Sequence, residues 1–292
     1  MFAAMPPLGA GVLTAYLERL GVDPEPPTPE GLHELVGRHA ERVPYETLWI
    51  AAGEAWDIDP RRAAERIAFE GRGGYCYHTN GALGLLLHSL GYDVRGHSGG
   101  VHGPEGPSPR VVGNHLVLTV HSLPSEACPE GVWYVDSGLG DALHDPQPLR
   151  AGAVSQPPFL LSLDQVAGET WHLTHDPAGG FRGMTWTMSD ADASRLEAQH
   201  AWLSTSPESG FVQVPMAQRR DTTGVDVLRG LVLHRIGEDA RTDAPITSRR
   251  AWFEALAERF GLTFAAMDSD RRDRMWRAVM AAHERWERSQ QR

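Results

Sequence analysis

The hydrophobic pattern of this chain changes period at Gly91, and that change limits the folds open to it. Before Gly91, apolar residues recur at helical spacing. Val12, Tyr16, Leu17 and Leu20 share one helical face, and Gly21 follows as a stop. Thr28-Pro29 reads as an N-cap with a first-turn proline ahead of Leu32, Leu35 and Val36. Asp59-Pro60 repeats that signal before Ala63, Ala64 and Ile67. The run NGALGLLLHSL, residues 80–90, predicts an apolar helix that follows Cys76 and stops at Gly91. From Tyr92 to about Arg182, short apolar runs at 117–120, 133–135 and 171–173 are separated by Gly, Pro, Ser and Asp, the pattern of an antiparallel sheet or small barrel. Residues 102–114 read as a loop or hairpin connection. In the last third, 212–215 and 225–233 read as strands with a turn at 221–224 between them. Helices are expected at 248–260, closed by Gly261, and at about 270–288. The expected class is α+β, with a helical part (1–91), a β-rich part (92–205) and an α/β part (206–292).

Composition excludes several functions. A chain of 292 residues with 22% charged and 41% hydrophobic residues is an ordinary globular sequence. The formal net charge of −11 argues against a general nucleic-acid binder. No apolar run approaches the roughly 20 residues of a membrane helix, and the N-terminus lacks the basic start and long apolar stretch of a signal peptide. A soluble, cytoplasmic protein is expected. All 27 basic residues are arginine, so no Schiff-base or P-loop lysine can operate. Two cysteines, Cys76 and Cys128, give no disulfide framework. The 14 histidines lack zinc-ligand spacing, including His97 and His102 around a Gly-rich turn. No metal is expected, and the histidines read as scattered over the surface.

The densest chemical signal is GRGGYCYHTN, residues 71–80. Its glycines let the backbone turn sharply and a substrate approach. A thiol at the start of a helix meets unpaired N–H groups and the positive end of the helix dipole, which favour the thiolate. Alone, Cys76 is a weak signal, and a buried structural thiol is the default reading. Two other segments change that reading. Asn114-His115 opens the apolar strand HLVLTV, and Asp136 ends another, followed by a glycine-rich turn. A base and a carboxylate on neighbouring strands, facing a thiol on a helix, make a Cys-His-Asp triad. The histidine would hold the thiolate as an ion pair, and the carboxylate would fix the imidazole tautomer. Cys128, in SEACPEG, has no such neighbours.

These motifs resemble those of the arylamine N-acetyltransferase family along nearly the whole chain. TAYLERLGV and VPYETL are similar to its first helix and its V/I-P-F-E-N-L segment. RGGYCYHTN is similar to its R-G-G-x-C-x-E-x-N nucleophile motif. NHLVLTV is similar to its histidine strand, and VDSGLGD to its aspartate turn. The resemblance implies a helical bundle bearing Cys76, a β-barrel bearing His115 and Asp136, and an α/β lid, with a cysteine-protease-like triad at the core. It implies a ping-pong reaction in which acyl-CoA, a co-substrate rather than a bound cofactor, acylates Cys76 and an arylamine, hydrazine or hydroxylamine removes the acyl group. Gly138 and Gly140 match glycines that let pantetheine lie close to the backbone. Tyr45 and Leu139 match acceptor-pocket positions. Arg72 and Glu46 match a structural brace, and Asn80 the last position of the nucleophile motif.

The chain departs from the family pattern at His78, Thr79, Thr47, Asn114 and Leu139. None of these is a triad member. His78 stands where a carboxylate is usual, and it reads as a structural change rather than a second base. Leu139 replaces an aromatic ring worth roughly 0.5–1.5 kcal/mol of stacking, which points to a wider or less aromatic pocket. Three other readings accompany the first. They are an amide synthase joining an acyl group from a carrier-protein thioester to an aryl amine, a catalytically silent binding protein, and a thiol hydrolase. Arg219-Arg220 and Arg249-Arg250 are candidates for CoA phosphates, with solvated surface pairs as the plainer reading.

Overall fold

The helix that starts at Cys76 is the axis around which the rest is arranged. The computed structural model describes residues 1–238 and 241–290. The N-terminal part opens with a short 3-10 helix (Phe2–Ala4), followed by α1 (Ala10–Leu20), α2 (Pro29–Arg42) and the two-residue strand β1 (Tyr45–Glu46). They are followed by α3 (Leu48–Ala52), α4 (Pro60–Glu65) with a π-helical turn at Arg66–Glu70, and α5 (Cys76–Ser89). The expected start and stop chemistry is in place. Thr28 accepts a 3.0 Å bond from Gly31 N, Asp59 a 2.8 Å bond from Arg61 N, and Gly21 closes α1 in the left-handed region. Every residue of α5 from Cys76 to Leu87 is buried. A helix buried on every side must be enclosed, and here the N-terminal residues help enclose it. The tip of the Phe2 ring packs on Gly84, where a Cβ would lie 2.4 Å from it.

The barrel strands are β2 (Asp93–His102), β3 (His115–His121), β4 (Trp133–Val135), β5 (Gln147–Pro148), β6 (Gly152–Gln156), β7 (Phe159–Ala167), β8 (Thr170–Thr174) and β9 (Gly183–Thr187). Among the described residues they form one antiparallel sheet in the order β5-β4-β3-β2-β9-β8-β7-β6. Its two edge strands are consecutive in the chain, and the sheet curls into a nearly closed barrel. Pairing of Leu118 with Val135 sets the N-terminal end of β3 beside the C-terminal end of β4. His115 and Asp136 therefore meet at one end of the barrel.

Beyond the barrel come α6 (Ala193–Thr205), α7 (Gly210–Gln213), β10 (Met216–Asp221), β11 (Gly224–Arg229), β12 (Val232–Gly237), β13 (Arg241–Pro245), α8 (Arg249–Phe260) and α9 (Ser269–Gln290). A second antiparallel sheet runs β1-β10-β11-β12-β13, so Tyr45 and Glu46 from the helical part form its edge.

The last third needs three corrections. Residues 210–213 are helical, not extended, because Ser209 caps them by accepting from Phe211 N at 3.2 Å. The strand starts only at Met216. The run 225–233 is two strands, reversed at Gly230, whose φ of 58° suits glycine. Helix α6, capped by Asp192, lies where the sequence reading placed only barrel.

Candidate active site

Three segments build the site from different elements. Cys76 is the first residue of α5, and the chain reaches it through Gly73 and Gly74. A Cβ at Gly73 would lie 1.7 Å from Pro44 O, and Gly74 has φ 124°, so the approach requires glycine at both. The approach is braced on one side. Glu46 N donates to Gly74 O at 2.9 Å. Arg72 Nε and Nη2 donate to Glu46 Oε1 at 3.0 and 2.8 Å, while Glu46 Oε2 accepts from the amides of Leu48 and Trp49. Arg72 also stacks on Trp56 and Phe264. Glu46 and Arg72 thus form a buried, hydrogen-bonded pair.

Asp136 is almost wholly buried and accepts four hydrogen bonds. Its Oδ2 takes one from His115 Nε2 at 2.8 Å and one from Tyr134 OH at 3.0 Å. Its Oδ1 takes one from Asn80 Nδ2 at 2.7 Å and one from Gly138 N at 3.0 Å. With Nε2 committed to Asp136, His115 has Nδ1 left for the sulfur. Burial opposes charge on His115. The charges of Asp136 and the neighbouring Cys76 outweigh burial and raise the imidazole to about 10. The charged form of the imidazole is thereby favoured beside Cys76. The Cys76 thiol lies 3.5 Å from Asn114 O. Asn114 in turn bonds both the amide and carbonyl of Val101, at 2.8 and 2.9 Å, and so pins the entry to β3.

Cys76 and His115 line a cavity of about 460 Å³ with Tyr45, Gly138, Leu139 and Phe211. Gly140 is spent differently. Its φ is 78°, and a Cβ there would lie 2.1 Å from Gln218 Oε1, so it serves the close packing of Gln218 and Tyr45. Leu139 brings no ring, but the rings of Tyr45, Phe181 and Phe211 all border the cavity.

Other residues fall outside the chemistry. His78 is buried, and its Nε2 donates to Asp57 O at 3.0 Å. Burial, then Arg66, hold it well below the ordinary imidazole range, as a neutral member of an aromatic cluster with Trp49, Trp56 and Tyr75. Cys128 is buried and donates to Val132 O at 3.2 Å; burial pushes its thiol up. Two readings are corrected. The histidines are not scattered over the surface: His39, His78, His97, His102, His115, His144 and His175 are all buried. His97, for example, bonds Thr119 Oγ1 and Ser189 O. Arg220 is no surface cation, since its guanidinium is buried on the carbonyls of Gln156, Gly224 and Ala142. Arg249 and Arg250 pair with Asp273 and Glu254. Tyr134 was missed by sequence reasoning, although its place two residues before Asp136 puts both on one face of the strand.

Comparison with known proteins identifies the family and the fold. The model of an N-acetyltransferase family matches residues 28–268. The arylamine N-acetyltransferase of Mycolicibacterium smegmatis is 31% identical over 264 residues, covering 86% of this chain and 91% of the relative. That of Mycobacterium tuberculosis is 30% identical over 275 residues, covering 87% and 90%. Among solved structures, the M. smegmatis enzyme superposes with a TM-score of 0.81 at 28% identity, covering 91% of this chain and 98% of that one. The Mycobacterium marinum arylamine N-acetyltransferase in complex with CoA gives 0.79 at 27%, with the same coverage. On the matched length and the shared fold, the chain belongs to the arylamine N-acetyltransferase family.

Proposed function

We propose that this protein transfers an acetyl group from acetyl-CoA to an arylamine through a thioester on Cys76, with His115 as acid and base and Asp136 as the group that orients it. The observation that carries the reading is the buried 2.8 Å contact between His115 and Asp136 beside a cysteine at a helix start, inside one cavity. In the first half-reaction the Cys76 thiolate attacks the thioester carbonyl. A new C–S bond forms, the C–S bond to CoA breaks, and the imidazolium gives its proton to the departing CoA thiolate. In the second, the amine nitrogen attacks the enzyme thioester, neutral His115 accepts the amine proton, and Cys76 leaves again as thiolate. Asp136 keeps Nε2 bonded so that Nδ1 faces the sulfur in both steps.

The three parts divide this work. Residues 1–91 present the nucleophile, 92–205 present His115 and Asp136, and 206–292 lay the second sheet over the cavity as a lid. Tyr45, Gly138 and Leu139 border the substrates, and Glu46, Arg72 and Asn80 hold the site. CoA is the donor by analogy with relatives, one of which was solved with it, and no permanent cofactor is required. Two unpaired cysteines suit a cytoplasmic setting.

Intact-protein mass spectrometry tests the reading. Acetyl-CoA alone should add one acetyl group to Cys76, and an arylamine should remove it as the amide. A protein loaded only by a carrier-protein thioester would transfer the case to the amide-synthase reading. Loss of the acetyl group to water at an unchanged rate with and without amine would make it a hydrolase.

A further inference from the structure

The turn after β4 carries two buried aspartates, and the triad uses one. Asp136 opens the turn; Asp141, only 2% exposed, closes it. Asp141 Oδ2 accepts a 2.6 Å hydrogen bond from the Gly180 amide, and its Oδ1 lies 3.5 Å from His175 Nε2. Both partners belong to the β8–β9 connection. His175 N donates to Arg182 O at 3.0 Å and closes that hairpin, leaving residues 176–181 as its loop. The His175 ring meets Phe159 and Phe181 edge to face, with centroids 5.1 and 4.4 Å away. A side chain at Gly179 would sit 2.2 Å from the His175 ring. Asp176 shapes the start of the loop, its Oδ1 accepting from Ala178 N at 2.8 Å and its carbonyl from Gly179 N at 2.9 Å, while Asp141 and the His175 ring hold its Gly180-Phe181 end.

That loop is a wall of the catalytic cavity. Ala178, Gly179, Gly180 and Phe181 border the same space as Cys76, and Asp141 does too. Leu139 offers no ring there, whereas Phe181 adds a partly buried one. An aromatic ring bordering the cavity that holds Cys76 favours a flat acceptor over one without a ring.

We infer that Phe181, latched in place by Asp141 and His175, is a specificity-determining residue of the acceptor step, selecting aromatic amines over ring-free nucleophiles. The inference rests on the acyl-transfer reading above. Phe181 acts by contact with the acceptor. Asp141 and His175 are positioning residues that act through the loop.

The test loads Cys76 with acetyl-CoA and then compares kcat/KM for aniline and for hydrazine, which lacks a ring. Phe181→Ala should lower the aniline-to-hydrazine ratio by roughly three- to tenfold, mainly through the KM for aniline. Phe181→Tyr should restore the ratio. Asp141→Asn and Gly179→Ala, which loosen or displace the loop by separate routes, should move the ratio in the same direction. A ratio that stays within about twofold in Phe181→Ala, or both acceptors falling together in the two loop variants, would overturn the inference while leaving acyl transfer intact. Wild-type protein that never carries an acetyl group on Cys76 would overturn the acyl-transfer reading, and the acceptor role with it.

Discussion

Asn80 stands one helical turn beyond Cys76 and donates a 2.7 Å hydrogen bond to Asp136. The helix that presents the nucleophile thereby also holds the carboxylate. The same Nδ2 donates to Leu116 O at 2.7 Å, and Oδ1 accepts from Ser137 N at 3.0 Å. One side chain ties helix, histidine strand and aspartate turn together. Asn80→Ala should lower the rate of Cys76 acylation by roughly ten- to a hundredfold, the effect of about 1.5–3 kcal/mol for a lost bond to a charged group. Stopped-flow measurement of CoA release checks this, with circular dichroism to establish that the variant folds. An unchanged acylation rate would mean that Asp136 is held well enough by Tyr134 and Gly138.

The two thiols should react in sequence. Cys76 lies beside an imidazole whose charged form is favoured, while Cys128 is buried and its thiol pushed up. Iodoacetamide at limiting concentration should label Cys76 first and stop acyl transfer with that single modification. Peptide mapping reads the order. Labelling of Cys128 ahead of Cys76 would contradict the ion pair. Cys76→Ala and Cys76→Ser should both be inactive, the second because a hydroxyl is too weakly acidic for this base.

The pH profile should carry the mark of His115. Its imidazole is raised to about 10 when folded, against an ordinary value of about 6.5. The stabilisation that comes with its charge is therefore fully present below about pH 6.5 and is lost as pH rises through about 10. The imidazolium is also the acid for the departing CoA thiolate, so the acylation rate should fall on the basic side near pH 10, at a value belonging to the coupled Cys-His pair. A basic limb near the ordinary histidine value would refute the assignment.

Acid stability should depend on His39. Its Nε2 lies 2.9 Å from Tyr16 OH in the core, and burial lowers it to about 3. For a histidine lowered on folding, stability is complete above the unfolded value of about 6.5 and is lost as pH falls through it toward 3. The loss should run at about 1.4 kcal/mol per pH unit below 6.5, or about 2 kcal/mol by pH 5. Urea unfolding at pH 7 and pH 5 should show His39→Gln losing less on acidification than wild type by about that amount. Equal losses in the two proteins would place the acid sensitivity elsewhere.

Breaking the brace should cost more than removing it. Arg72→Met leaves Glu46 charged and buried and should destabilise by about 3–5 kcal/mol. The double variant Arg72→Met with Glu46→Gln should recover part of that loss in the same urea titration. A double variant no more stable than the single one would mean that the pair contributes through packing on Trp56 and Phe264 instead.

Much of this was readable in the chain because the signals were local. Caps at Thr28 and Asp59, the stop at Gly261 and the apolar run after Cys76 each act within a few residues. The meeting of Cys76, His115 and Asp136 was readable because the three sit in distinct motifs. The failures are non-local. Val212 and Val214 suggest a strand, but the Ser209 cap folds 210–213 into a helical turn. Arg220 looks like half of a surface pair until the carbonyls of Gln156 and Gly224 close around it. Buried histidines such as His97 need partners from distant strands, which a spacing pattern cannot supply. Asp141 and Phe181 are 40 positions apart in sequence, and only the barrel brings them to one cavity.

The two residues of β1 bear on how such a protein can be altered by evolution or by hand. Tyr45 pairs with Gln218 in the C-terminal sheet and bridges to Gly74 in the loop that delivers Cys76. The C-terminal third is consequently not an interchangeable module. A chimera that imports residues 206–292 from a relative must carry matching residues at 45 and 46, and a protein split before residue 206 should lose its nucleophile's geometry along with its cover.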